Sequence, residues 1–174
     1  MKRYHFIAIG GSAMHSLAIA LKENGDQISG SDDAIFDPSK TQLLKAAIYP
    51  EKMGWHPEKI STDLDAVILG MHAKADNPEL ITAQSLGLKI YSYPEFIAHF
   101  SKRKTRVVIA GSHGKTTISA MVLHVLKYHD RSVDFMLGAQ LDGYNNSVSL
   151  TDKNDFILLE GDEYLSSPID LTPK

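Results

Sequence analysis

The sequence predicts an α/β protein: a Rossmann-like parallel-sheet domain followed by the start of a second α/β domain of the P-loop type. Three observations support this prediction. Short apolar strands alternate with helical segments along the chain. Two of the strands run directly into glycine-rich loops, and each loop opens a helix. A short basic run separates the two sets of elements. Repeated βα units favour a parallel sheet with helices on both faces.

The first strand and helix lie at the start of the chain. Residues 4–9 form an apolar run that stops at a pair of glycines. Apolar side chains then recur at helical spacing between Ser12, which is placed to cap the helix, and Gly25, which is placed to end it. A second strand is predicted over residues 26–30 and a second helix over residues 38–47.

The next elements repeat this alternation. Residues 65–70 are predicted to form a buried strand. Residues 77–79 read Asn-Pro-Glu, a strong helix start, because asparagine caps, proline suits the first turn and glutamate suits the positive end of the helix dipole. Gly87 is predicted to end this helix. A strand over residues 88–92 and a helix over residues 94–101 complete the first domain.

The basic run from Lys102 to Arg106 is predicted to be a solvated linker at the domain boundary. It places residues 1–104 in the first domain and residues 105–174 in the second. A strand, a helix and two further strands are predicted in the second domain, at residues 107–110, 115–129, 133–138 and 155–160. Because so few elements follow the boundary, we expect residues 105–174 to be a truncated domain of a longer protein.

Composition restricts the function. Hydrophobic residues make up 43% of the chain, charged residues make up 22%, and the net charge is −3. Without a long run of like charges, we expect no nucleic-acid partner and no membrane-surface partner. The absence of cysteine excludes disulfides and thiolate metal sites. No signal-peptide pattern and no membrane-length apolar stretch is present, so we expect a cytoplasmic protein.

Residues 110–117 read Ala-Gly-Ser-His-Gly-Lys-Thr-Thr, between an apolar strand and a helix. This is the setting that a P-loop requires. Glycines let backbone N–H groups approach phosphate oxygens, and the helix N-terminus adds positive charge. Lys115 can reach the β- and γ-phosphates, and the Thr116 hydroxyl can bind Mg²⁺. The predicted nucleotide contacts are Gly111, Ser112, His113, Gly114, Lys115, Thr116 and Thr117.

Residues 157–164 read Ile-Leu-Leu-Glu-Gly-Asp-Glu-Tyr. An apolar strand therefore presents Glu160 at its carboxyl end, which is the ligand-binding edge of an open α/β sheet. A carboxylate in this position can hold the Mg²⁺ that bridges the phosphates of a nucleotide. The alternative interpretation is a solvated acidic turn.

A second nucleotide site is predicted after the first strand. The dinucleotide fingerprint G-x-G-x-x-G would fall on Ala8, Gly10 and Ala13, so two of its glycines are missing and a nicotinamide site is disfavoured. Gly10, Gly11 and Ser12 still offer N–H groups at a helix start. Asp32 follows the second strand, where an acid suits a ribose hydroxyl; the alternative is a turn cap. Trp55 is interpreted as a packing anchor.

Three segments together resemble the Mur ligase family. Residues 111–117 resemble its ATP loop, residues 160–163 resemble its Glu-Ala-Asp-Glu motif, and residues 5–14 resemble its opening His-Phe-x-Gly-Ile-Gly-Gly-Ser-Gly-Met. The resemblance covers nearly the whole chain. It implies a ligase that uses ATP and Mg²⁺ to convert a carboxylate to an acyl phosphate, which an amine then attacks. It also implies catalytic roles for Lys115 and Glu160, with Thr116 and Glu160 as metal ligands.

The same resemblance implies UDP-N-acetylmuramate as one substrate and the amine of an amino acid or peptide as the other. The predicted contacts to the UDP-sugar are Gly10, Gly11, Ser12, Asp32, His72 and Asn77. Tyr164 favours a murein tripeptide as the added group, whereas the Asn-Pro-Glu segment favours L-alanine, and we take the tripeptide as the leading prediction. A homodimer is a further expectation.

Two other classes remain open: an NAD-dependent oxidoreductase and a non-catalytic nucleotide sensor. We also expect the 174-residue chain alone to lack ligase activity. Amide formation needs ATP, metal and both substrates held together, and the resemblance implies that the amine-binding residues belong to a domain absent from this chain.

Overall fold

The fold was analysed in a computed structural model, which describes residues 1–71 and 73–161. Contacts divide the chain into two compact units, Met1–Phe96 and a second unit that begins at Ile97. The predicted boundary between residues 104 and 105 lies downstream of this division. The assignment of one nucleotide site to each domain stays a prediction.

The first unit contains one four-stranded sheet. Its strands are β1 (Arg3–Ile7), β2 (Gln27–Ser31), β3 (Ala66–Leu69) and β4 (Ile90–Ser92). The order is β2-β1-β3-β4 and every pairing is parallel. Ile7 at the end of β1 pairs with Ser31 on one side and Leu69 on the other. The chain segments that leave these three strands therefore emerge side by side at one edge of the sheet.

The helices of this unit are α1 (Ser12–Glu23), α2 (Ser39–Lys45), α3 (Pro78–Ser85) and α4 (Tyr93–Phe100), the last of which crosses the division between the units. Asn77 caps α3 as predicted, because its Oδ1 accepts the N–H groups of Glu79 and Leu80 at 2.9 and 3.2 Å. The predicted cap of α1 is wrong. Gly11 is the N-cap and makes no side-chain cap bond, and Ser12 is the first helical residue.

Burial explains why β1 and β3 occupy the centre of the sheet. Phe6, Ile7, Val67 and Ile68 are all completely buried. Consecutive buried residues in a strand mean that both faces of the sheet are covered, which is typical of parallel sheets. On one part of the core, the half-buried Trp55 packs against a buried cluster formed by Ile7, Ile60, Val67, Leu80 and Ala83.

The second unit contains β5 (Thr105–Ala110), α5 (Lys115–Tyr128), β6 (Asp134–Met136), β7 (Val148–Ser149) and β8 (Phe156–Gly161). The strand order is β5-β8-β6-β7. β5, β8 and β6 are parallel, whereas β7 runs antiparallel to β6. The sequence did not predict β7, because it is only two residues long and lies in a turn-rich stretch. No helix in the described part of the chain is long and apolar enough to cross a membrane.

A buried ion pair joins the start of β5 to β6. Lys104 Nζ lies 2.8 Å from Asp134 Oδ2, and the two side chains are 8% and 0% exposed. The same ammonium donates to the carbonyl oxygens of Thr151 and Asn154 at 2.7 and 2.5 Å. Both of these residues also donate side-chain hydrogen bonds to Asp134. The basic run was predicted to be a solvated linker. For Lys104 this prediction is wrong, because its side chain is buried in the second unit.

Replacing Lys104 tests this pair. In Lys104→Met the Asp134 carboxylate stays buried without its cation, which costs about 3 kcal/mol. We expect hydrogen–deuterium exchange of peptides covering β5 and β6 to accelerate by about 100-fold, with little change in β1 to β3. Lys102→Met, an exposed neighbour in the same basic run, is the control. Equal effects of the two substitutions would show that the buried pair adds nothing to stability.

Candidate nucleotide-binding sites

The glycine-rich loop of the second unit connects β5 to α5. Gly111 and Gly114 have φ angles of +150° and +77°, which glycine adopts without a steric penalty. Gly114 is also the N-cap of α5, so the first N–H groups of the helix face the loop. Lys115 Nζ donates to the Gly111 carbonyl at 2.6 Å, which holds the ammonium against the loop. This arrangement suits a bound phosphate.

Glu160 lies beside this loop because β8 pairs with β5. Ile109 is the register partner of Glu160, one residue before the end of each strand. Glu160 Oε2 accepts the Thr116 hydroxyl at 3.1 Å and the Gly138 N–H at 2.9 Å. Its Oε1 is buried and has no hydrogen-bond partner among the residues that the structure describes. A buried, unpaired carboxylate oxygen next to a threonine hydroxyl fits a hard cation such as Mg²⁺.

Gly138 is a contributor that the sequence did not identify. Its N–H fixes one oxygen of Glu160, and a Cβ at this position would lie 2.9 Å from that oxygen. The only signal available in the sequence was a glycine at the end of a predicted strand. Nothing in the sequence indicated that this strand, β6, lies next to β8.

The glycine loop of the first unit follows β1. The N–H groups of Ala8 and Ile9 both donate to the Ser31 carbonyl, at 2.9 and 3.2 Å. The Gly10 N–H donates to Asp32 Oδ2 at 2.7 Å. A Cβ on Gly10 would lie 2.9 Å from that same carboxylate oxygen, so the close approach requires glycine. The end of β2 therefore fixes the path of the loop.

Asp32 has a structural role in addition to the predicted ribose contact. It is 6% exposed, and its Oδ1 lies 3.5 Å from the Ala34 N–H, in keeping with the alternative of a turn cap. Burial raises the pKa of Asp32, and neighbouring Asp33 raises it further, although the Gly10 N–H opposes the shift. The ribose contact stays a prediction.

A pocket of about 390 Å³ opens above this loop. Gly10 and Gly11 contribute backbone to its wall, Phe36 and Trp55 contribute aromatic surface, and the polar side chains that line it are Asp32, Asp33, Asp37 and Ser39. Phe36 is 76% exposed, which is unusual for a phenylalanine side chain. The volume lies within the range of small-molecule sites, roughly 300–1,000 Å³.

Among the described residues, the remaining predicted site residues make no contact that assigns them to a nucleotide. Ser12 and Asn77 are not among the residues that line the pocket, and the Asn77 oxygen is used as a helix cap. Ser112, His113 and Thr117 lie in the phosphate loop or the first turn of α5. His72 lies outside the described residues, as does Tyr164. Contacts of these residues with a nucleotide stay predictions.

The model of the Mur ligase family, described as its catalytic domain, matches residues 3–105, which is more than half of the chain. The chain belongs to the Mur ligase family. Its loop sequences resembled this family, and the match extends over the whole first sheet. An NAD-dependent oxidoreductase, one of the two other classes considered, is therefore not supported.

Two related sequences illustrate the membership. Proteins from Sulfurihydrogenibium sp. and Clostridium acetobutylicum, each named UDP-N-acetylmuramate–L-alanine ligase, are both 36% identical to this chain. Each alignment covers 99% of this chain but 37% of the relative. The Mur ligase chain described here thus spans little more than a third of the length of these relatives.

Solved structures of Mur ligases share the fold. The UDP-N-acetylmuramate:L-alanyl-γ-D-glutamyl-meso-diaminopimelate ligase from Neisseria meningitides matches with a TM-score of 0.79 and 29% identity, covering 98% of this chain and 55% of that one. The UDP-N-acetylmuramate–alanine ligase from Thermotoga maritima matches with a TM-score of 0.74 and 27% identity, covering 92% and 37%. These matches confirm the predicted α/β fold with a Rossmann-like parallel sheet.

Ala8 carries backbone strain at the edge of the first pocket of this Mur ligase chain. Its φ of +65° lies in the left-handed region, which costs alanine about 1–2 kcal/mol. We expect Ala8→Gly to stabilise the first unit by about 0.5–1 kcal/mol, because relief of strain exceeds the added entropy of the unfolded chain. Urea unfolding followed by Trp55 emission measures this change.

The control for this substitution is Ala20→Gly within α1. Here the backbone is helical, so the same change should destabilise the unit by about 1 kcal/mol or more. A loss of stability in both variants would mean that packing of the Ala8 methyl group outweighs the strain at that position.

Proposed function

We propose that this chain forms the two nucleotide sites of an ATP-dependent carbon–nitrogen ligase of peptidoglycan synthesis or recycling. The enzyme would join UDP-N-acetylmuramate to a murein tripeptide through an acyl phosphate. The observation that carries the proposal is the buried Oε1 of Glu160, which has no partner within residues 1–71 and 73–161 and lies beside the Thr116 hydroxyl and the phosphate loop. A carboxylate and a hydroxyl beside a phosphate loop fit a nucleoside triphosphate with its bound Mg²⁺, and the family membership indicates a ligase.

The second unit would bind ATP. Backbone N–H groups of Gly111 to Gly114, together with the start of α5, would hold the phosphates, and Lys115 would exchange its bond to the Gly111 carbonyl for the β- and γ-phosphates. Thr116 and Glu160 would hold Mg²⁺. When bound, this ion supplies positive charge against the phosphate oxygens. Lys115 would stabilise the charge that develops while the γ-phosphoryl group moves to the substrate carboxylate.

The first unit would bind the uridine nucleotide of UDP-N-acetylmuramate. Gly10 and Gly11 expose backbone at the start of α1, where the positive end of the helix dipole favours a pyrophosphate. Asp32 accepts the Gly10 N–H and the Ala8 carbonyl accepts the Gly11 N–H, so a phosphate would use the N–H groups of the first turn of α1. The pocket also offers the aromatic surface of Phe36 and Trp55 to the nucleoside.

The amine substrate has two candidates. The structural match to the ligase for the diaminopimelate-containing peptide supports the tripeptide, as does Tyr164 in the sequence. The names of the related sequences and the Asn-Pro-Glu segment support L-alanine. An amide-formation assay on the full-length gene product, with ATP, Mg²⁺ and UDP-N-acetylmuramate, distinguishes them. Turnover with L-alanine alone would overturn the tripeptide proposal.

Binding of UDP to the 174-residue chain tests the first site. We expect Asp32→Ala to weaken binding by about 1–3 kcal/mol in isothermal titration calorimetry, because Gly10 loses the acceptor that fixes its N–H. Asp32→Asn keeps an oxygen for this bond and should lose less. Asp26→Ala is the control, since Asp26 accepts the Lys2 N–H elsewhere. Unchanged affinity in Asp32→Ala would remove Asp32 from the site.

Binding of ATP, with and without Mg²⁺, tests the second site. Lys115→Ala should weaken ATP binding while UDP affinity stays unchanged, and Lys127→Ala near the end of α5 is the control. Glu160→Gln puts an amide group in place of one carboxylate oxygen. It should reduce the enhancement of ATP binding by Mg²⁺ by about tenfold, or about 1.4 kcal/mol. An equal fall in UDP affinity would contradict separate sites.

A further inference from the structure

We propose that Glu79 is a positioning residue for the first pocket, which fixes the turn of residues 54–56 and thereby places Trp55 against the bound nucleotide. This inference rests on the proposed uridine-nucleotide site. It assigns a role to a buried carboxylate that does not line the pocket, and it assigns a ligand contact to a tryptophan that the sequence indicated only as a packing anchor.

The turn is fixed on both sides of Trp55. The Gly54 N–H donates to the main-chain carbonyl of Asp32 at 2.7 Å, and Gly54 has a φ of +100°. The His56 N–H donates to Glu79 Oε1 at 2.6 Å. With both neighbouring residues held, the backbone of Trp55 has little freedom, and its position depends directly on the Glu79 carboxylate.

Glu79 is itself held rigidly. Its side chain is completely buried, and its second oxygen lies 3.3 Å from Nε2 of His5, which is also completely buried. His5 Nδ1 is 2.9 Å from the Ser29 hydroxyl of β2. Burying a carboxylate is costly unless it is well paired. The Glu79 carboxylate therefore links the His56 N–H of the turn to His5 on the central strand β1, and His5 in turn contacts Ser29 on β2.

Charge at Glu79 agrees with this role. Burial acts to raise the pKa of Glu79, but interactions with His5, with Ser31 and with the His56 N–H together outweigh burial, and the pKa lies below its usual range. The side chain is therefore a carboxylate at neutral pH. Hydrogen bonds to a charged acceptor are stronger than those to a neutral one, so the turn is held more firmly than a neutral cap would hold it.

Trp55 faces two environments. It packs against the buried cluster that contains Ile7 and Val67, and it also lines the pocket together with Phe36. Aromatic rings stack on nucleobases without regard to base identity. Trp55 is the only tryptophan in the sequence, so its emission reports this wall of the pocket and nothing else.

The experiment combines calorimetry with Trp55 emission during titration with UDP. In the unchanged chain we expect heat of binding and a change in Trp55 emission with the same midpoint. Glu79→Leu removes both acceptor oxygens at similar volume, and UDP affinity should fall by about tenfold. Glu79→Gln keeps one oxygen for the His56 N–H and should restore affinity to within about twofold.

Two further variants keep the test decisive if Glu79→Leu does not fold. Trp55→Ala leaves the buried carboxylate intact and should also weaken UDP binding by about tenfold, measured by calorimetry. Phe96→Leu lies next to Tyr4 and Tyr91, outside the turn, and should destabilise the first unit without changing UDP affinity.

The outcomes separate the two proposals. No heat with UDP in the unchanged chain would overturn the proposed uridine-nucleotide site and this inference with it. Normal UDP binding without a change in Trp55 emission, or with unchanged affinity in Trp55→Ala, would overturn the inference alone. An equal loss of affinity in Phe96→Leu and Glu79→Leu would do the same, because it would assign the effect to general stability.

Discussion

Parallel pairing of neighbouring strands is the constraint on which both candidate sites depend. Because parallel strands finish at the same edge, the loop after β1 meets the residue after β2, and the loop after β5 meets the end of β8. In each unit a glycine-rich turn therefore lies beside a carboxylate, Asp32 in the first and Glu160 in the second. The two carboxylates differ in their contacts: Asp32 accepts the Gly10 N–H of the loop after β1, whereas Glu160 has one oxygen without a partner in the described part of the chain.

The loops could be predicted from the sequence because their chemistry is local. Gly111, Gly114 and Lys115 indicate a phosphate site together with the apolar strand before them and the helix after them, and all of these signals lie within one short stretch of sequence. The cap by Asn77 is equally local, since its partners lie two and three residues away. The error at Ser12 also came from a local signal, because glycine and serine are both found at helix N-caps and the N-cap of α1 is Gly11.

Long-range contacts could not be predicted in this way. Lys104 looked like one of several solvated cations, and only the fold brings it to Asp134. Gly138 supplies an N–H to Glu160 because β6 lies next to β8, a pairing that the order of residues along the chain does not reveal. Glu79 was interpreted as a favourable charge at a helix start, although its carboxylate is buried and binds His56 across the fold.

His5 also has a consequence for how the first sheet aligns. His5 and Ser29 are register partners on β1 and β2, and their side chains meet in the interior of the unit, next to the buried Glu79 carboxylate. If β1 shifted by one residue in its pairing register, His5 would turn to the opposite face of the sheet. The Glu79 carboxylate would then lose its buried neighbour. Apolar strands alone tolerate such slippage more readily than strands that carry a matched polar pair. We therefore expect the His5–Ser29 pair to specify the register of β1 against β2, because every shifted register would separate the two polar side chains.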